Sequence, residues 1–364
     1  MANIHIDRIL ETCIRRGGSD IHLHVGRPPV IRIHGRLRNL ETKTLEPEDT
    51  LALMRSITPE RNQQELQEEG GTDYGFAFGD AGRFRVAVFK QKGNVSIVLR
   101  LIPSKLLTFE EIGLPPIVKA LCRRSRGLFL VTGPTGSGKT TTLATMIDYI
   151  NTLMRRHIVT IEDPIEILHQ DKNSIINQRE VGLDTESYAS ALKYVLRQDP
   201  DVILIGEMRD LETVRTALTA AQTGHFVLST LHTIDATETV NRIIDFFPLY
   251  QQKQVRIMLA GSLRGIISQR LLQRADGAGR APAVEVMIMT GRIRDFILDP
   301  AQTHNIETAI KEGDFYGMQT FDQSLLQLYA AGVVTLQEAV QVATTPHDFK
   351  LMVQSRGYEV SLLE

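Results

Sequence analysis

The sequence predicts an α/β protein, in which a mainly parallel sheet with helices on both faces follows a smaller α+β unit. Three observations carry that class. From Arg126 onward, apolar runs of four to six residues (128–132, 158–162, 202–206 and 226–231) alternate with helical segments, the rhythm of strands buried on both faces. The first run passes through a glycine-rich loop straight into a helical stretch. Upstream, strands and helices follow one another without regular βαβ alternation, which suggests an open sheet with helices to one side.

Taken in order, Ile4, Ile6, Ile9, Leu10 and Ile14 are spaced for a helix that Gly17-Gly18 ends. Alternating runs at 20–25 and 30–34 predict strands, helical patterns follow at 48–55 and 59–69, and strand-like stretches at 82–89 and 94–101. Residues 103–116, with Pro103, Pro115 and Pro116, read as a linker. Beyond residue 290 the pattern is helical to Arg356-Gly357. The expected organisation is an N-terminal α+β domain at 1–105, a linker at 106–125, an α/β core at 126–290 and a helical region at 291–364.

Composition narrows the class. The 364 residues carry 41 Lys plus Arg against 43 Asp plus Glu, a net charge of −2, so no global electrostatic case exists for nucleic acid or an anionic membrane as main partner. Cys13 and Cys122 are too few for a disulfide framework or a four-thiolate zinc site, and a reducing, cytosolic setting fits them. Polar residues break the N-terminal stretch too early for a signal peptide, and no window approaches the roughly 18 apolar residues of a membrane span.

Gly133, Pro134, Thr135, Gly136, Ser137, Gly138, Lys139 and Thr140 form a complete G-x-x-x-x-G-K-S/T loop between an apolar strand and a helix. The glycines let successive amides turn inward around phosphate oxygens, and the following helix adds its positive end. Lys139 is expected to bring charge to the β- and γ-phosphates, and the Thr140 hydroxyl to ligate Mg²⁺. Hydrolysis also needs carboxylates. Two strands deliver them: Ile158 to Ile161 ends on Glu162-Asp163-Pro164, and Val202 to Gly206 ends on Glu207. In open α/β sheets ligands gather at carboxyl ends of strands, so both acids should face the loop. Each alone could simply cap a helix; two after a phosphate loop point to chemistry. Histidines bracket a further strand, with His225 beginning it and His232 at its carboxyl end, the better place to sense phosphate or acids.

These segments resemble the secretion-type ATPases that power type II secretion and type IV pili, and within them the pilus-retraction subfamily, over nearly the whole chain. The resemblance rests on the phosphate loop, the box Ile161-Glu162-Asp163-Pro164-Ile165-Glu166, the motif Gly206-Glu207-Met208-Arg209-Asp210, the two histidines and the tract Gly17-Gly18-Ser19-Asp20-Ile21-His22. It implies a homohexameric ring with a RecA-like core beside a small PAS-like N-terminal domain. ATP and Mg²⁺ would lie between neighbouring domains and subunits. The implied work is pilus retraction through an inner-membrane platform protein, with the assembly ATPase as a further partner, by a cytoplasmic protein held at the membrane through partners.

The resemblance also implies roles. Glu207 is similar to the Mg²⁺-organising acid and Glu162 to the water-polarising one, with the reverse open. Arg83, Arg85 and Arg100 match arginines that reach the γ-phosphate, and a strand puts Arg83 and Arg85 on one face. A tetracysteine zinc insertion, usual in assembly-type and type II secretion members, cannot form here. The retraction subfamily's helix signature occurs in altered form at 292–298, where Ile293, Arg294 and Ile297 match, and the tract 317–325 also fits. Asp20, His22 and His24 share a strand face, which plain alternation explains better than a metal site. The basic run at 123–126 reads as a solvated hinge or subunit contact rather than a nucleic-acid patch.

Overall fold

The computed structural model describes residues 5–33, 35–79, 81–102 and 106–358. Ile4, His34 and Pro103, which the sequence reading placed in a helix, a strand and the linker, lie outside the described residues. The chain divides into two compact units, Met1–Lys105 with Pro164–Leu168, and Leu106–Asp163 with His169–Glu364.

The first unit runs α1 (Ile6–Arg15), β1 (Gly18–Leu23), β2 (Val30–Ile33), β3 (Arg36–Asn39), α2 (Pro47–Ile57), α3 (Glu60–Glu69), β4 (Gly71–Phe78), β5 (Gly82–Gln91) and β6 (Asn94–Ile102). Its strands form one antiparallel sheet in the order β3-β2-β1-β6-β5-β4. Alternation sorts the two faces. Ile21, Leu23, Phe84, Val86, Val88, Ile97 and Leu99 point to one side, where the apolar stripes of the three helices bury them. The opposite side carries Arg83, Arg85, Arg100 and Asp20.

In the second unit α4 (Phe109–Ile112) and α5 (Ile117–Cys122) occupy the segment read as a linker, and their Phe109, Val118, Leu121 and Cys122 sink into the core beside Leu114. A Thr108–Glu111 capping box starts α4, and Pro116 is the N-cap of α5, so the segment forms two short helices. There follow β7 (Gly127–Thr132), α6 (Lys139–Leu153), β8 (His157–Glu162), β9 (Ile175–Glu180), α7 (Tyr188–Val195), β10 (Val202–Ile205), α8 (Leu211–Gln222), β11 (Phe226–Leu231), α9 (Ala236–Asp245), α10 (Leu249–Ser262), β12 (Leu263–Gln273) and β13 (Arg280–Ile288). The sheet order is β13-β12-β7-β11-β10-β8-β9, parallel except for the antiparallel edge β13.

Strand residues alternate between two cores. Leu128, Leu130, Ile203 and Ile205 join the side covered by α7 to α10, whereas Phe129, Val131, Val202 and Leu204 pack against Leu143, Met146, Ile147 and Ile150 of α6. Burial on both faces is why these strands read as largely apolar runs with no charged residue inside them. The rest is helical: α11 (Gly291–Leu298), α12 (Ile306–Lys311), α13 (Phe321–Ala330), α14 (Leu336–Val342) and α15 (Pro346–Ser355), with two 3₁₀ turns. Both cysteines are fully buried, Cys13 in the first unit and Cys122 in the second. Among the described residues no helix is long and apolar enough to cross a membrane.

Candidate active site

The parallel register fixes where the site is. Leu231 lies beside Thr132, and Ile205 beside Ile161, so β7, β8, β10 and β11 present their carboxyl ends along one edge of the sheet. The phosphate loop leaves β7 there. Gly133 has φ +140°, and a Cβ at that position would stand 2.3 Å from the carbonyl oxygen of Gln269 on β12, so only glycine fits. Gly138, φ +91°, caps α6. Pro134, Thr135 and Gly136 form the exposed crest, Thr140 is half-buried in the first turn of α6, and Ser137 Oγ is buried without a hydrogen-bond partner among the described residues. A backbone loop with three glycines at positive φ, ending at a helix N-terminus beside a hydroxyl without a partner among the described residues, fits a polyphosphate.

Lys139 Nζ donates to the carbonyls of Gly133 (2.8 Å) and Pro134 (3.1 Å) and stands 3.5 Å from His232 Nδ1. His232 Nε2 lies 3.2 Å from Glu207 Oε1, whose second oxygen accepts from Arg209 at 2.8 Å. Arg209 also reaches Asp163, at 3.8 Å. Lysine, histidine, glutamate, arginine and aspartate thus form one continuous polar chain from the loop to the end of β8. Burial works to raise the Glu207 carboxyl, but the Arg209 hydrogen bond and the charges of Arg209 and His232 outweigh it and hold the group below the usual glutamate range. Burial lowers the Lys139 ammonium, against the pull of Glu207. Glu162 ends β8 and accepts from Thr160 Oγ1 (2.7 Å) and Gln178 Nε2 (3.1 Å), on the β9 side.

His225 lies elsewhere. Its ring bonds the carbonyl of Ala220 at the start of β11, about 20 Å from the loop at roughly 3.3 Å per strand residue. Arg294 is exposed on α11 while the matching Ile293 and Ile297 are fully buried, so the altered helix signature keeps its inward face. In the first unit, Arg85 sits directly opposite Arg100, which sits opposite Asp20. Arg100 Nε donates to Asp20 Oδ1 at 2.9 Å, and Arg83 Nε donates to the Ile165 carbonyl at 2.7 Å. Burial opposes ionisation of Asp20, but the hydrogen bonds and charges of its arginine neighbours keep its carboxyl below the usual range.

Two residues near the loop escaped sequence reasoning. Gln269 is buried on β12, donates Nε2 to the Ser137 carbonyl at 2.7 Å and accepts from Thr142 Oγ1 at 3.0 Å, bracing the loop against α6. A polar pair, Ser268-Gln269, inside an apolar strand was the available signal. Tyr188 on α7 faces Gly206, where a Cβ would stand 2.9 Å from its hydroxyl. Burial pushes that phenol well above the usual tyrosine range, with Asp163 adding to the shift. Replacing Gln269 by leucine strands two buried polar groups at about 1–3 kcal/mol each, so ATP affinity should fall about tenfold or more in a nucleotide titration; unchanged affinity would show that the loop stands without this brace.

A phosphate loop on a parallel sheet with acids at adjacent strand ends defines a P-loop ATPase core of RecA-like type. The chain belongs to the type II/IV secretion system protein family, which it matches over residues 2–341. The type IV pilus retraction ATPase PilT of Pseudomonas aeruginosa is 45% identical over 344 residues, 94% of this chain and 99% of that protein. The type IV pilus ATPase PilU of the same organism is 40% identical over 351 residues, 96% and 92% of the two chains. The crystal structure of the pilus retraction motor PilT with bound ADP superposes with a TM-score of 0.88 at 48% identity, covering 95% of this chain and 98% of that one.

Proposed function

We propose that this chain is the ATP-driven motor of type IV pilus retraction. The observation that carries the reading is the link from Lys139 in the phosphate loop through His232 to Glu207 at a neighbouring strand end, within a chain alike to PilT along nearly its full length. The loop amides and Lys139 hold the β- and γ-phosphates. Thr140 and Glu207 would hold Mg²⁺, which would supply charge neutralisation on those phosphates. Glu162, steadied by Thr160 and Gln178, orients the attacking water, and His232 relays the state of the phosphates to Glu207. Arg83, Arg85 and Arg100 supply charge as the N-terminal unit moves within a homohexamer.

The work is extraction of pilin subunits through an inner-membrane platform protein, opposed by the assembly ATPase, at the cytoplasmic face of that membrane. Deleting the gene in its host should leave cells with surface pili that form but do not shorten; bald cells would instead indicate an assembly motor. The altered helix signature at 292–298 favours one second reading, a paralogous pilus ATPase, for which retraction would persist in the deletion strain. ATPase activity stimulated by DNA, with steep salt dependence, would overturn both.

A further inference from the structure

Among the described residues, Asp20, Glu180 and Glu285 are buried acids outside the polar chain of the site, and Glu285 stands on an edge strand of its sheet. Glu285 on β13 is 5% exposed, the one polar residue in the stretch 281–288 of that strand. Register aligns it with Ser268 on β12, Ser268 with Thr132 on β7, and Thr132 with Leu231 on β11. That row crosses the sheet at the level where β7 enters the phosphate loop and β11 enters the His232 turn. The side chains along it are bonded: Thr132 Oγ1 donates to Ser268 Oγ at 3.0 Å, Ser268 Oγ lies 3.5 Å from Glu285 Oε1, and that oxygen accepts from the backbone amide of Ala236 at 2.7 Å. Ala236 is the first residue of α9, four positions after His232. The other carboxylates that tie down this turn, Glu238 on the Ile234 amide and Asp235 on the Glu238 amide, are solvent-facing.

We propose that Glu285 is a positioning residue for ATP turnover, an acid that fastens the His232 turn to the strands carrying the phosphate loop. It touches no substrate. Its acceptor oxygen fixes the Ala236 amide, and through it the distances from His232 to Lys139 and Glu207, while Ser268 and Thr132 fix the acid itself. The groups facing it explain why the neutral form holds. Burial is the largest influence, the carboxylates of Asp235 and Glu307 add to it, and the Ala236 amide and Arg270 oppose it. Arg270 is itself engaged, donating to the Val342 carbonyl and lying over the Phe321 ring. The carboxyl is pushed from its ordinary 4.5 up to about 8. Between those values the folded chain keeps a proton that the unfolded chain has lost, so this group's contribution to stability declines as pH rises through that window and is gone above it.

The test uses the full-length purified chain, Glu285→Ala and Glu285→Gln, with ATP turnover and thermal unfolding followed from pH 6 to 9.5. Glutamine offers the same acceptor oxygen without an ionisable proton. Alanine should lower kcat about tenfold with KM within about twofold, because the turn shifts while the loop amides stay. Glutamine should stay within about twofold of the parent at pH 7 and lack the parent's alkaline loss of kcat centred near pH 8. Parental kcat in the alanine variant, or an unchanged alkaline loss in the glutamine variant, would overturn the proposal. The activity measurements rest on the ATPase reading, whereas unfolding does not. Should the parent chain lack turnover, that reading fails, and melting temperatures decide on Glu285 alone: a parent curve that declines toward pH 8 beside a flat glutamine curve supports the bonded row, and parallel curves refute it.

Discussion

Replacing Lys139 by alanine is expected to lower ATP turnover by about a hundredfold to a thousandfold, the range seen when one preorganised donor is removed from developing negative charge. The structure adds a reason for the upper end. Lys139 Nζ bonds the carbonyls of Gly133 and Pro134, so it also keeps two oxygens occupied at the mouth of a site meant for anions. Its loss removes a cation and releases two dipoles of the wrong sign. Burial disfavours the ammonium while its two carbonyl bonds favour it, so thermal unfolding should shift far less than turnover. Phosphate release measured at saturating ATP checks this; turnover within tenfold of the parent would remove the loop from the mechanism.

The second large effect separates the two acids. Glu207→Gln should reduce kcat by about a hundredfold or more and raise the Mg²⁺ concentration needed for half-maximal rate, because the carboxylate proposed to hold the ion is gone. It also leaves Arg209 and His232 without their shared counter-charge. Glu162→Gln should reduce kcat comparably with the Mg²⁺ requirement unchanged, as expected for a water-orienting group. Magnesium titrations of both variants distinguish the roles. If only the Glu162 variant needs more Mg²⁺, the two assignments exchange.

How much of this was legible in the sequence follows from which signals survive burial. The strands β7, β8, β10 and β11 stood out because both their faces are covered, leaving no charged residue inside them to interrupt the apolar run. The edge strand β9, Ile-Ile-Asn-Gln-Arg-Glu, and the wholly exposed β3 carry no such run and passed unnoticed. β12 was missed for another reason: α10 passes into it at Ser262–Leu263 with no glycine or proline to mark the change. At the site, the glycine loop and strand-end acids announce themselves by residue type and position. Partners contributed by distant segments do not. Gln269 and Tyr188 meet the loop and Gly206 only through sheet order, although a lone Glu285 in an apolar strand and the Ser268-Gln269 pair were visible as polar residues where none is expected. The linker expectation at 106–125 followed proline content, whereas a capping box and five apolar residues decide that segment's packing.

The two interior cysteines have a practical consequence. Burial, with the charge of Asp20 adding, pushes the Cys13 thiol to about 11, and burial pushes that of Cys122 to about 12. Neither presents a thiolate to a maleimide at neutral pH. Two cysteines introduced on solvent-facing helices would therefore be the chain's only labelling handles, and a pair of dyes could follow the motor through its cycle without first stripping the native sulfurs from its core.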